Sequence, residues 1–332
     1  MPPIFYLPVA ASLALGVMPA TAAAQHDRVL RLPATEDIPA LHVRTQPTSQ
    51  RAQQNIGDVL YIHGATFPSD VSVFFRFDGR SWAGELNDAG FNAWGFDFAG
   101  YGHSGRYAET AASSGPPGRS VIAARQIAEV IEAIRARNGA RAVHLIAHSW
   151  GTIAAGLYAA EHQDRVGKLV FFAPVVRRNL QIATPALPEY RNLTIWEQYR
   201  RFVEDVPRGH PQVLLDRHIE QWSREYLASD LQSATRTPPA VKTPLGPIAD
   251  LQAAWTGSAL YDPQRIIAPL LIVRGEWDSL CTDADAARLL SEAGALIKQD
   301  RKIAKGTHLL HLEENRDKLY RAVNEFLVDR QS

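Results

Sequence analysis

Ser149, Asp278 and His308 are the residues whose types, order and settings suit joint chemistry. A serine hydroxyl is a weak nucleophile at neutral pH. It attacks a carbonyl carbon when an imidazole takes its proton and a carboxylate orients that imidazole. Ser149 sits in "VHLIAHSWGTIAAG", residues 143–156, where an apolar run passes through the serine into small residues. The window Ala147-His148-Ser149-Trp150-Gly151 departs from G-x-S-x-G at its first position alone. A tight strand-to-helix turn brings the residues two before and two after the serine against neighbouring backbone. Only a small side chain is required there, and Ala147 supplies one. Asp278 follows the apolar run "LLIVRG" in "GEWDS", and His308 follows a glycine in "GTHLLHLEE". Both come after the serine, in the order acid then histidine.

A tetrahedral intermediate also needs N–H donors for its oxyanion. Trp150, directly after the serine, provides one. The loop "YIHGATFPSD" provides the other, through Ala65 after His63-Gly64. Each assignment has a competitor. Ser104, in "GYGHSGRY", lacks a following small-residue helix start and reads as a turn residue, with Asp97 a structural acceptor in the same turn. Glu276 sits nearer its strand than Asp278, and His311 belongs to the start of the segment after His308. His63 reads as a brace for the oxyanion loop, and Cys281 as a buried, inert thiol.

The elements that must position these residues follow from apolar periodicity. "RVLRLPA", "ALHVRT", "VLYIHGA", "NAWGFDF", "AVHLIAH", "VGKLVFFAPV", "PLLIVRG" and "IKQDRKIAK" read as strands. Between them, "SWAGELNDAGF", "RSVIAARQIAEVIEAIRARNGA", "GTIAAGLYAAEH", "DADAARLLSEAG" and "NRDKLYRAVNEFLVD" read as helices. In the second of these, Ile127, Val130, Ile131 and Ile134 share one face and Asn138-Gly139 ends it. Alternation of this kind predicts a mostly parallel sheet covered by helices on both faces. From 176 to 257 the alternation stops. Helical pieces such as "WEQYRRFVEDV" and "QVLLDRHIEQWSREYLAS" precede a loop, "ATRTPPAVKTPLGP", and no strand is evident. The expected organisation is an export signal over 1–24, core over 25–175, a helical cap over 176–257 and core again over 258–332.

Composition narrows the function classes. Lys+Arg and Asp+Glu both total 35, so neither a basic face for nucleic acid nor a charged tail is expected. With Cys281 the only cysteine, no intrachain disulfide and no four-cysteine zinc site can form, and the 11 histidines show no H-E-x-x-H spacing. The first 26 residues carry no charged side chain, and Ala22-Ala23-Ala24 suits signal-peptidase cleavage before Gln25. A periplasmic or secreted enzyme is the expectation, without stable membrane insertion after cleavage.

Taken together, His63-Gly64, "GFDFAGYGHSG", "AHSWGT", "GEWD" and "GTHLLHLE", spread over about residues 57 to 315, resemble the α/β-hydrolase fold serine hydrolases. The similar branch is that of proline iminopeptidases and cap-bearing esterases. The resemblance implies Ser149 as nucleophile, Asp278 as acid, His308 as base, and Ala65 and Trp150 as oxyanion donors. It implies no metal or organic cofactor. Proline iminopeptidases carry H-G-G-P-G where this chain has His63-Gly64-Ala65-Thr66-Phe67, which favours ester over peptide substrates. Epoxide hydrolases carry aspartate in place of Ser149, which disfavours that chemistry. The expected substrate is a small carboxylic ester; amide or lactone hydrolysis and a non-catalytic ligand-binding role are the alternatives. The cap aromatics Tyr190, Trp196, Tyr199, Phe202, Trp222 and Tyr226, with Trp255 and Tyr261 near its exit, suit the cap's own core, yet some are expected over the serine. His148, Thr66, Trp196 and Trp222 are the expected pocket residues, around an apolar or aromatic substrate moiety.

Overall fold

Strands buried on both faces must send alternate side chains into two separate cores, and the central strands do so. In β3 (Gly57–Ile62), Leu60 and Ile62 join one apolar cluster while Val59 and Tyr61 join another. The same division holds in β6 (Val166–Phe172) and β9 (Leu270–Gly275). Helices α2 (Ser120–Asn138), α3 (Gly151–Glu161) and α7 (Asp283–Glu292) cover the first face. On the other lie α1 (Trp82–Asp88) and α8 (Arg316–Val328). This computed structural model describes residues 27–329 apart from 50, 53, 109–114 and 215. The expected export signal lies outside the described residues. Among these, no helix is long and apolar enough to cross a membrane.

The remaining strands of the main sheet are β1 (Arg28–Leu32), β2 (Leu41–Gln46), β4 (Phe91–Asp97), β5 (Val143–His148) and β10 (Lys298–Ile303). Eight strands run in the order β1-β2-β4-β3-β5-β6-β9-β10. The pairs β1–β2 and β2–β4 are antiparallel, and every later pair is parallel. The fold is thus the expected α/β sandwich, with an antiparallel edge. In a parallel sheet the carboxyl ends of the strands share one rim, so the turns after β3, β5, β9 and β10 converge there.

Between β6 and β9 the chain leaves the sheet and forms β7 (Tyr190–Thr194), α4 (Ile195–Val203), α5 (Asp216–Ala228), β8 (Ala240–Pro244) and α6 (Gly246–Trp255). The expectation of no strand in this stretch is corrected. β7 and β8 pair antiparallel, Arg191 opposite Thr243 and Leu193 opposite Val241. Each is five residues long without a regular apolar alternation, and each acquires a partner only across more than forty residues of chain. Local periodicity does not register such a pairing. A third apolar cluster fastens this insertion to the sheet's rim. It joins Leu193, Phe202, Trp222, Tyr226 and Val241 to Phe67, Val71 and Phe75 after β3 and to Leu309 and Leu312 after β10.

Candidate active site

Ser149 occupies the turn between β5 and α3 with φ 54°, a conformation that costs a non-glycine residue about 1–3 kcal/mol and needs enforcement from its surroundings. Its N–H donates to the Phe172 carbonyl at 3.0 Å, and its carbonyl accepts from the Thr152 N–H and hydroxyl at 2.9 and 2.6 Å. Two residues on, Gly151 has no room for a side chain. A Cβ there would stand 2.4 Å from the His63 carbonyl oxygen and 3.0 Å from that of Ile62. Ala147 is fully buried between Ile62 and Phe171 in the sheet register. The serine is therefore held at the N-terminus of α3, where the helix dipole favours developing negative charge.

His308 reaches this turn from the loop after β10. Its Nε2 lies 2.8 Å from Ser149 Oγ, and its Nδ1 lies 3.0 and 3.1 Å from the two Asp278 carboxylate oxygens. Both residues are almost fully buried. Asp278 Oδ1 also accepts the N–H groups of Leu280 and Cys281 at 2.9 and 3.1 Å, which fixes the carboxylate before it meets the imidazole. The loops after β9 and β10 are tied by the Trp277 N–H donating to the Gly306 carbonyl at 2.8 Å. The tautomer with Nδ1–H directed at the carboxylate is the one that offers Nε2 as an acceptor to the serine hydroxyl.

The two expected oxyanion donors stand beside this relay. No acceptor among the described residues takes the backbone N–H of Ala65 or Trp150. The Ala65 loop is braced by the His63 ring, which donates from Nδ1 to the Gly64 carbonyl at 2.7 Å and accepts the Phe98 N–H on Nε2 at 3.0 Å. Burial holds the His63 pKa down to about 4, so the ring keeps both roles at neutral pH. The Tyr101 hydroxyl donates to the Ala65 carbonyl at 2.8 Å. The Trp150 indole N–H donates at 3.0 Å to Asp250 of α6, which also accepts from the Ser120 N–H at 2.7 Å and Arg119 Nε at 2.5 Å.

The competing residues settle into other work. Ser104 Oγ donates to the Asp97 carbonyl and accepts the His42 N–H. The Asp97 carboxylate accepts N–H groups from Ser69 and His103, and burial raises its pKa to about 7. Glu276 is exposed and accepts the Lys305 N–H. Cys281 is buried, and burial raises its thiol pKa far above the ordinary value. His42, Asp70 and Asp97 bring one ligand atom each within 4.8 Å of one another, the geometry of a candidate metal cluster. Arg44 already pairs with Asp70 at 2.7 Å, and both Asp97 oxygens are taken by backbone N–H groups.

Of the expected pocket residues, His148 packs on Phe172 and beside His308, its Nε2 bonded to the His308 carbonyl at 3.1 Å. Burial, then the neighbouring His311 and His308, push its pKa well below the ordinary value. Thr66 is buried under α4, its hydroxyl accepting from Arg201 at 2.9 Å. The two tryptophans take different places. Trp222 is packed between the insertion and the loop after β3, against Phe67, Phe202 and Tyr226, its N–H donating to the Val71 carbonyl. Trp196 is 66% exposed and stacks on Tyr199. Helical spacing in a sequence does not say which face looks inward.

Sequence reading passed over Glu313. Its carboxyl is buried and accepts the Thr307 hydroxyl and N–H, so it clamps the residue before His308. Nothing in the string "HLLHLEE" singles it out. Burial raises its pKa from 4.5 to about 7. The folded chain therefore holds this proton more tightly than the unfolded chain. The resulting stabilisation is complete below about pH 4.5 and is lost as the pH rises through about 7. In Glu313→Gln that titration is gone. The stability gap between wild type and variant should shrink by about 3 kcal/mol from pH 4.5 to pH 8. Urea unfolding of both proteins across this range is the measurement, and a constant gap would contradict it.

A family model described as alpha/beta hydrolase fold matches residues 58–315. Solved structures resemble the chain over most of its length. A monoacylglycerol lipase of Paleococcus ferrophilus has TM-score 0.57 at 18% identity, covering 87% of this chain and 98% of that one. A structure of carboxylesterases of Nitrososphaera gargenis has TM-score 0.60 at 13% identity, covering 90% and 97%. An epoxide hydrolase of Vigna radiata has TM-score 0.55 at 14% identity, covering 91% and 97%. Among curated proteins, none matches the sequence. At such identities the likeness is one of fold.

Proposed function

The chain belongs to the α/β-hydrolase fold family, and from that premise we propose that it is a serine hydrolase cleaving a small carboxylic ester through an acyl-enzyme. The observation that carries this reading is the unbroken relay from Ser149 Oγ through His308 to Asp278, at 2.8 and 3.0 Å, on a serine held at φ 54°. As Oγ attacks the ester carbonyl, His308 Nε2 takes its proton, and Asp278 stabilises the imidazolium. The N–H groups of Ala65 and Trp150 receive the oxyanion. His308 then returns the proton to the leaving alcohol, and a water, deprotonated by the same nitrogen, releases the acid. The helix start behind Ser149 and the braced Ala65 loop support that assignment, since both are in place before substrate arrives. Cap function for the insertion between β6 and β9 belongs to the same proposal, as does export of the mature chain.

A fluorophosphonate probe followed by intact mass spectrometry tests the nucleophile. One adduct is expected on wild type and none on Ser149→Ala. Equal labelling of the two proteins, or no labelling of wild type, would overturn the assignment.

A further inference from the structure

Arg201 of the insertion is hydrogen-bonded to the Ala65 loop, Arg191 acts on Arg201 through its charge, and neither arginine has a carboxylate partner among the described residues. Arg201, on α4, donates from Nη1 to the Thr66 hydroxyl, and Gln198, one turn earlier, donates to the Thr66 carbonyl at 3.2 Å. Thr66 adjoins Ala65 and stands two residues from Gly64, where a Cβ would lie 3.2 Å from Ser149 Cβ. Arg191, on β7, has a buried Nε without a partner, and so does the hydroxyl of Thr243 opposite it on β8. Gln198 Oε1 is likewise buried and unpartnered.

The two cations act on the same ground. Arg201 keeps part of its surface open, yet protein crowds its guanidinium, and that desolvation, then Arg191, lowers its pKa. Arg201 also adds to the forces holding His148 down, and the field of Arg191 reaches Tyr101 and Tyr226. Half-buried cations that feel each other's charge and have no carboxylate hydrogen-bonded to them are costly, and a bound anion relieves that cost. Glu204 and Asp205 lie at longer range from Arg201, and Glu197, held in the capping box of α4, near Arg191. They offset part of the positive charge, so the deficit suits one negative charge better than a phosphate dianion. A guanidinium fork also matches the planar geometry of a carboxylate.

Resting on the serine-hydrolase reading above, we propose that Arg191 and Arg201 form an anion subsite, and that the natural ester carries a free carboxylate bound beneath the insertion. The subsite makes the enzyme select half-esters and other acid-bearing esters over neutral ones of the same shape.

The test compares matched pairs differing only in that charge. Monoethyl glutarate against ethyl 4-carbamoylbutanoate places the group on the acyl side. The pair 4-acetoxybutanoate and 4-acetoxybutanamide places it on the alcohol side. For at least one pair, kcat/KM for the acid should exceed that for the amide by about tenfold or more, the range of a charge-assisted contact. That ratio should fall below threefold in at least one of Arg191→Met and Arg201→Met. Because it is a ratio within one preparation, a variant that folds incompletely does not distort it. Ratios under tenfold for both pairs in wild type, or a preference that survives both substitutions, would overturn the subsite. Fluorophosphonate labelling separates the two levels of the argument. Labelled Ser149 with no acid preference defeats the subsite alone, whereas no label defeats the hydrolase reading with it.

Discussion

Ser149→Ala is expected to lower kcat on a hydrolysable aryl ester by about 10⁶-fold, and His308→Ala by nearly as much, because the relay acts as one unit. Ser149 Oγ is the hydroxyl that His308 Nε2 contacts, and His308 Nδ1 engages Asp278 with its remaining hydrogen bond. Removing either end leaves the other without a task. The double substitution Ser149→Ala with His308→Ala should therefore cost no more than the worse single one, a strong departure from additivity. Stability should follow a different course. Alanine keeps a Cβ at φ 54°, so Ser149→Ala should change stability little, whereas Ser149→Gly should gain about 1 kcal/mol by relieving the turn. Steady-state rates of purified variants, with urea unfolding of the same samples, measure both parts. Residual activity within a hundredfold of wild type, or losses that add in the double variant, would defeat the relay as the source of catalysis.

Gly151→Ala should be a damaging single-methyl change at the turn that carries the serine. Its Cβ would meet the His63 carbonyl oxygen at 2.4 Å and the Ile62 carbonyl at 3.0 Å, both backbone atoms at the end of β3. No side chain can swing away to make room, so the turn and the Ala65 loop must separate. Overpacking of this kind costs about 1–3 kcal/mol. A shift near 1 Å between the serine and its oxyanion donor costs about a hundredfold in kcat. Gly139→Ala is the contrasting variant: φ is 67° there, but nothing lies within 4 Å of the added Cβ. It should lose stability from the backbone strain alone and keep its kcat. Thermal unfolding and active-site-titrated rates distinguish the two, and a Gly151→Ala protein with wild-type kcat would refute the close packing of the turn.

The sheet and the relay were legible because local sequence suffices for both. Continuous apolar runs such as "VLYI" and "LVFF" announce strands buried on two faces, and the serine, acid and histidine each sit where a strand gives way to a loop. Strands β7 and β8 were not legible, since neither carries an apolar alternation and each is stabilised by a distant partner. The groups that support the relay were equally silent. Asp250 is the one charged residue in "GPIADLQAAW", a signal that a buried acid awaits partners, but which partners depends on how α6 docks. Arg191 and Arg201 are two among many arginines of the insertion, and only the fold shows that neither pairs with a carboxylate among the described residues. The aromatic residues suggested an apolar site, yet Trp222 and Tyr226 are occupied in holding the insertion together.

Asp250 also marks where the insertion stops being exchangeable. One carboxylate joins α6 to the start of α2 and to the residue after the serine, through Arg119, Ser120 and Trp150. A chimaera that swapped the whole stretch between β6 and β9 for another sequence would strip these groups of their acceptor. In engineering terms, the graft junction belongs before Gly246, so that α6 stays with the host scaffold while β7 through β8 travel as the modular part.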